Sequence, residues 1–394
     1  MKKSNTSVFF IVGIIIVVFS LMFWNTRKNI DVEQDAKLVL DFQKEKESFE
    51  GYSNGCLKIA TETTIERYGL DYVGKQIEYY ISKQYLECMN NFEDYREKGF
   101  EITYEEPKVN FIANGNNIET ELLAKLALKS GEQEVQFEKF STRFQLPDNY
   151  KDPIIGEWLY RGILYNYEDR VAPRPMSVHI VKIDLEDPTI EFFVTPRIAP
   201  NVMTTSDFLN KYDVQLAINA GLYDIGGTNE VNGYSVSGGN IYSAQDIKPD
   251  VTFFISSDKK LSMQKKISDV EYAVTGQNRV VDDNKPSVRL DPNHPLHKDT
   301  YENLQPTTAL GIDFKDNWLI MIVIDGRQPG FSEGIKLIEL ADIFLENKAD
   351  IAINMDGGGS TTLVIQGKGV LNKPSIGSER PVANHLGIIA EPLK

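Results

Sequence analysis

The sequence predicts an α+β / mixed α/β protein: a transmembrane helix, a small α+β module, and a C-terminal domain with a mixed sheet containing a βαβ unit. Three observations predict it. Val8 to Trp24 is an apolar run, Thr63 to Phe144 passes from helical spacing to strand alternation, and Trp318 to Met355 reads strand, helix, strand.

The N-terminal run is broken only by Gly13 and Ser20, with Lys2 and Lys3 before it and Arg27 and Lys28 after it. A signal-peptide core is the competing reading, but no small-residue cleavage pattern follows Leu21-Met22-Phe23-Trp24, which favours an uncleaved anchor. The expected order is a cytoplasmic tail at 1–7, a transmembrane anchor at 8–24, an extracellular module at 29–150 and a C-terminal domain at 151–394. That makes the chain a single-pass cell-membrane protein with its C-terminal domain extracellular. Basic residues on both flanks leave orientation open by charge alone. Cys56 and Cys88 argue for the outside, where they can pair, the alternative being two unrelated buried thiols. Their spacing fits no zinc ligand set.

With 394 residues, 41% apolar and 25% charged, the chain has the composition of about two folded domains. The formal net charge of −15, with no stripe of Lys and Arg, argues against a nucleic-acid partner. It does not exclude a small phosphorylated ligand in a local pocket.

Ile30 to Glu50, with Leu38, Leu40 and Phe42, suits a helical stalk leaving the membrane. A compact module is expected from about Gly51 to Phe144. Ile77, Tyr80, Ile81 and Tyr85 lie on or near one helical face, and the strand Lys108 to Ala113 runs into the turn signal Asn114-Gly115. Nothing catalytic shows there, so the module reads as a spacer or interaction unit.

Pro147 and Pro153 mark a linker, and the next segments, Trp158 to Tyr167, Ser177 to Leu185 and Thr189 to Thr195, read as strands. His179 alternates with apolar neighbours and suits a packed or surface position. Leu216 to Asn219 and Ile351 to Asn354 are twin apolar strands ending in Asn, and Gly238-Gly239 signals a hairpin. Asp282 to Gln305, polar and containing His294 and His297, reads as a surface loop.

Trp318 to Ile324 is a continuous apolar strand running into Asp325-Gly326-Arg327. Ser332 is placed to cap a helix with apolar positions Ile335, Ile338, Leu340, Ala341, Phe344 and Leu345. The crossover makes the flanking strands parallel, so Asp325 and Asp356 emerge at carboxyl ends and share one pocket if the strands are neighbours. Gly357, Gly358 and Gly359 behind Asp356 expose backbone beside a carboxylate, although a plain glycine turn is the ordinary alternative. Arg327 and Arg380 are candidate anion clamps.

Taken together, Ala217 to Gly221, Gly238-Gly239, Asp325-Gly326-Arg327, Asn354 to Thr362 and Glu379 to Asn384 occur in an order that resembles the phosphodiester glycosidase family. The resemblance spans about Gly156 to Glu391. It implies a hydrolase cleaving the glycosidic bond of a sugar-1-phosphodiester in a surface glycan or sugar-phosphate polymer. Asp325, Asp356 and Glu379 supply the candidate catalytic acids, with their individual roles open. Asn219, Arg327, Asn354, Gly357, Gly358, Gly359, Ser360, Thr361, Arg380 and Asn384 are the candidate substrate and phosphate contacts. No cofactor is fixed, though the acids with Asn354 would also suit a divalent Ca²⁺ or Mg²⁺. One departure stands out: Thr307 occupies the place where the family usually has an arginine. A non-catalytic glycan-binding module on the same fold is the alternative function.

Overall fold

The computed structural model describes residues 42–70, 78–150, 154–197, 202–244, 251–288 and 303–393, in two compact units divided between Ile154 and Ile155. The expected anchor at 8–24, most of the stalk, Ile77, His294 and His297 lie outside the described residues. Among the described residues no helix is long and apolar enough to cross a membrane. The helix 42–70 carries Lys44, Glu45, Lys46, Glu47 and Glu50 in its first turns, a charge density that no hydrocarbon core accommodates. The expected single-pass membrane location is corrected on that finding, since none of the described helices supports it.

In the first unit that helix runs unbroken through Gly51, so the stalk and the module are not separate pieces there. Phe49 is fully buried, stacks on Phe92 and packs at a tilt against Phe137 and Phe140. Residues 78–88 form a second helix that turns Tyr80, Ile81 and Tyr85 inward, as their spacing predicts. Cys56 and Cys88 join the two helices through a disulfide, with Cα atoms 5.5 Å apart. Strands β1 (Glu101–Tyr104), β2 (Lys108–Asn114), β3 (Asn117–Ser130) and β4 (Gln133–Gln145) form one antiparallel sheet. The β2–β3 turn is Gly115-Asn116, one residue beyond the Asn114-Gly115 signal, with Asn114 paired to Asn117.

The second unit holds three sheets whose described pairings are all antiparallel. An eight-stranded sheet contains β5 (Glu157–Tyr160), β6 (Ile163–Arg170), β7 (Met176–Asp184), β15 (Asn278–Asp282), β16 (Lys285–Pro286), β17 (Thr307–Asp313), β18 (Trp318–Ile324) and β19 (Ile351–Asn354), ordered β16-β15-β19-β17-β18-β7-β6-β5. A five-stranded sheet contains β8 (Glu191–Val194), β9 (Leu216–Asn219), β20 (Leu363–Ile365), β21 (Gly369–Val370) and β22 (His385–Ile389), ordered β21-β20-β9-β22-β8. The third comprises β10 (Tyr234–Ser237), β11 (Asn240–Ala244), β12 (Thr252–Ser256), β13 (Leu261–Ser262) and β14 (Val270–Thr275), with the β10–β11 hairpin at Gly238-Gly239. Alternate side chains of β7, β9, β12, β18, β19 and β22 meet in one apolar core between these sheets.

The mixed sheet with a simple βαβ unit is corrected. β18 and β19 do run in the same direction, joined through the helix Leu337–Glu346, but β17 lies between them and pairs antiparallel with both. The apolar runs show which segments are buried strands; they carry no information on which strand becomes a third strand's neighbour. The helix begins after Lys336, and Ser332 does not cap it. Its hydroxyl instead donates to the Asp325 carbonyl at 2.7 Å and accepts from the Ser177 amide at 3.0 Å.

Candidate active site

The chain passes from β19 in the eight-stranded sheet to β20 in the five-stranded one through the glycine turn, so the turn bridges the two sheets at one end. The twin asparagines hold it. Asn219, at the end of β9, donates from Nδ2 to the Asp356 carbonyl at 2.7 Å and accepts at Oδ1 from the Thr308 hydroxyl at 2.6 Å and the Thr362 amide at 3.0 Å. Asn354, at the end of β19, accepts from the Asn278 amide at 2.9 Å. The Asp356 amide donates to the Ala220 carbonyl at 2.9 Å. The carboxylate is thereby fixed where the two sheets meet.

A cavity of about 510 Å³ opens at this junction, walled by Asp356, Asn354 and Gly357 to Gly359, flanked by Arg327 and Arg380, and completed by Gln277, Gln305 and Thr307. The glycines make the arginine positions possible. Gly358 has φ +60°, and a Cβ on it would lie 3.1 Å from Arg327 Nη2. A Cβ on Gly359 would overlap the Arg380 guanidinium. Two cations therefore lie directly against one backbone turn.

Asp356 is 6% exposed, and its Oδ2 has no hydrogen-bond partner. Burial raises its pKa to about 6, while the Ser360 hydroxyl, the Arg380 charge and the Gly357 amide hold it down from a still higher value. An orphaned buried carboxylate oxygen in a cavity that two arginines also line can take up a proton near neutral pH.

Asp325 is different. It does not line the cavity, and its carboxyl accepts from the Lys373 amide at 2.7 Å, from Asn372 Nδ2 at 3.2 Å and from the Ser177 hydroxyl at 3.2 Å. His179 Nε2 stands 3.5 Å away, and the ring's Nδ1 bonds Tyr165 Oη at 2.9 Å. Asn372 also donates to the Thr361 carbonyl at 3.1 Å, so Asp325 braces the far side of the glycine turn. The expected pocket shared by two acids is corrected: with β17 between the parallel strands, one acid faces the cavity and the other is enclosed by donors. Glu379 is not in the cavity either. Its Oε2 accepts from the Ser206 amide at 2.9 Å, in the first turn of the helix Thr205–Tyr212.

Ser360 and Thr361 are buried in the turn behind the wall, and Asn384 is a buried tie that accepts from the Gly221 amide at 2.8 Å. Two wall residues, Gln277 and Gln305, escape a reading from sequence, as does Tyr223, which lies outside the wall. Tyr223 donates to the Pro381 carbonyl at 2.9 Å, and its phenol is raised by burial, lowered by Arg380 and raised by Asp356. Gln305 sits at the cavity, which corrects its assignment to a surface loop. Among the described residues no group of three or more His, Cys, Asp or Glu is placed to hold a metal ion, so the donor set lends no support to a Ca²⁺ or Mg²⁺ site.

Residues 212–389 match the model of the phosphodiester glycosidase family, a shorter span than Gly156 to Glu391 but one containing Asp325, Arg327, Asp356 and Arg380. Among solved structures the chain is similar to the catalytic domain of zebrafish N-acetylglucosamine-1-phosphodiester α-N-acetylglucosaminidase auto-inhibited by its pro-peptide, at 18% identity and a TM-score of 0.48, covering 58% of this chain and 82% of that one. It is also similar to a hypothetical protein from Synechocystis at 12% identity and a TM-score of 0.46, covering 74% and 78%. A third, a putative exported protein from Burkholderia pseudomallei, has 11% identity and a TM-score of 0.40, covering 73% and 97%. No curated protein matches the chain. The motif resemblance is thus shown over residues 212–389 as a phosphodiester glycosidase match, and that family indicates a glycosidase-type hydrolase.

Proposed function

We propose that the second unit hydrolyses the glycosidic bond of a sugar-1-phosphodiester carried by a glycan or sugar-phosphate polymer. The observation that carries this reading is a cavity in which Asp356 is the one carboxyl among the described lining residues and two arginines lie against the glycine backbone. A glycosidase with an alkoxide leaving group needs an acid to protonate it as well as a base or nucleophile. A phosphate monoester leaves as a stable anion, so the acid is dispensable and the need shifts to anion stabilisation.

In this scheme Arg327 and Arg380 hold the phosphate. Asp356, ionised at neutral pH from a pKa of about 6, takes a proton from a water molecule. The water oxygen bonds to the anomeric carbon as the carbon–oxygen bond to phosphate breaks, and the electron pair leaves with the phosphate. Thr307 puts a neutral hydroxyl in the wall where the resemblance implies a further cation, so this cavity holds an anion with two arginines rather than three. Incubating the purified protein with a panel of sugar-1-phosphodiesters should release free sugar and a phosphate monoester. Saturable binding of the panel with no turnover would instead make the unit a glycan-binding module.

A further inference from the structure

We propose that Gln305 is a positioning residue that sets Arg327 to receive the substrate phosphate, orienting the guanidinium without cancelling its charge. This rests on the reading of the cavity as a phosphodiester site. Gln305 Oε1 accepts from Arg327 Nε at 3.0 Å and also from Nη2, so one amide oxygen takes the side edge of the fork and leaves Nη1 uncommitted by that contact.

The main chain that carries the amide is itself anchored. Gln305 and Ile335 exchange backbone hydrogen bonds of 3.1 and 3.0 Å, and the Thr307 hydroxyl donates to the Gln305 carbonyl at 3.3 Å. A Cβ on Gly334 would lie 2.8 Å from Gln305 backbone atoms, and one on Gly326 would lie 2.6 Å from Pro306 N. The 305–306 segment is therefore threaded between two glycines of the Arg327 hairpin. The next carbonyl, that of Pro306, accepts from the Gly358 amide at 2.9 Å, tying the same segment to the glycine turn. Arg327 has φ +59°, held by its amide's 3.2 Å bond to the Glu333 carbonyl.

Arg327 is an exposed residue with a long side chain, and an anion that fixes a free arginine must overcome its rotamer entropy. Pre-orientation lowers that cost. A carboxylate at position 305 would orient the fork equally well but would neutralise it, whereas an amide oxygen leaves the full charge for phosphate.

The test uses Gln305→Met, which keeps length and removes the acceptor, and Gln305→Glu, which keeps the acceptor and adds charge. Inorganic phosphate is the calorimetric probe, alongside steady-state kinetics on a sugar-1-phosphodiester. Gln305→Met should weaken phosphate binding and raise KM by about tenfold each, with kcat within about twofold and an unchanged melt. Gln305→Glu should weaken phosphate binding further still. In an Arg327→Ala background, Gln305→Met should have no additional effect, which separates action through Arg327 from a general loss of structure. Wild-type phosphate affinity and KM in Gln305→Met would overturn the assignment. So would an undiminished Gln305→Met effect in the Arg327→Ala background, or phosphate affinity in Gln305→Glu equal to wild type. Phosphate binding with these responses, but no turnover of any sugar-1-phosphodiester, would leave the Gln305 assignment standing and remove the hydrolase reading.

Discussion

The ends of β18 and β19 carry the same residue type one after the other, and the surroundings give the two acids opposite properties. Asp325, after β18, meets an amide, a carboxamide and a hydroxyl. Asp356, after β19, keeps one oxygen without a partner and faces a cavity. A carboxyl with a donor on each oxygen holds structure; one that is buried and under-satisfied stores the capacity to take a proton. Parallel strand ends supply both positions, and the intervening β17 decides which of them opens outward.

The sharpest way to break this contrast is Asp356→Asn. The substitution should lower kcat by about 10³- to 10⁴-fold, or 4–5 kcal/mol in the barrier, without lowering the melting temperature. A large drop in the melt would make Asp356 a structural acid like Asp325. Asp325→Ala should behave in the opposite sense, destabilising the unit by about 3–4 kcal/mol because three donors, two of them buried, lose their acceptor together. Chemical denaturation measures this, and a variant of native stability with abolished turnover would return Asp325 to the chemistry.

The pH dependence of stability sharpens the comparison further. Asp356 holds its proton in the folded chain up to a pKa of about 6, above its ordinary value of 3.8, so the folded state binds more protons than the unfolded state in that window. Stability should therefore fall as pH rises from about 4 to about 6, by roughly 2–3 kcal/mol, and level off above. Asp356→Asn should remove this slope, and a slope identical to wild type would contradict the assignment. Arg380→Ala is expected to be the mildest, costing about 2 kcal/mol in kcat/KM, and the loss should shrink on a substrate analogue without the phosphate charge.

Much of the cavity is legible in the sequence because it is local. Asp356 and the three glycines are consecutive, and Arg327 follows a strand that its own apolar run identifies. The disulfide joins the chain's two cysteines, Cys56 and Cys88, for which the sequence alone left two unrelated thiols as the alternative. What escapes is what depends on partners far along the chain. Asp325 looks reactive until Ser177, Asn372 and Lys373 are brought to it, and no periodicity announces those meetings. Gln305 sits at the end of a polar stretch whose composition suits a loop, and only the two glycines of a later hairpin admit it to the wall. The strand order is hidden for the same reason: β17 inserts between two strands joined by a helix, and its apolar pattern would serve equally well at an edge.

Asn219 gives the site a kinetic and thermodynamic character that its chemistry alone would not. Its one carboxamide joins positions 89, 137 and 143 residues away, at Thr308, Asp356 and Thr362. Closing such long loops is slow, so the pocket belongs to the late, high-contact-order part of folding. It also means that local fraying cannot open the pocket while leaving the sheets intact. A ligand held there should protect against global unfolding by the mass-action term RT ln(1 + [L]/Kd), about 2.7 kcal/mol at a hundredfold excess over Kd. Slowed amide exchange would then extend across β9, β17 and β20 together, well beyond the residues that touch the ligand.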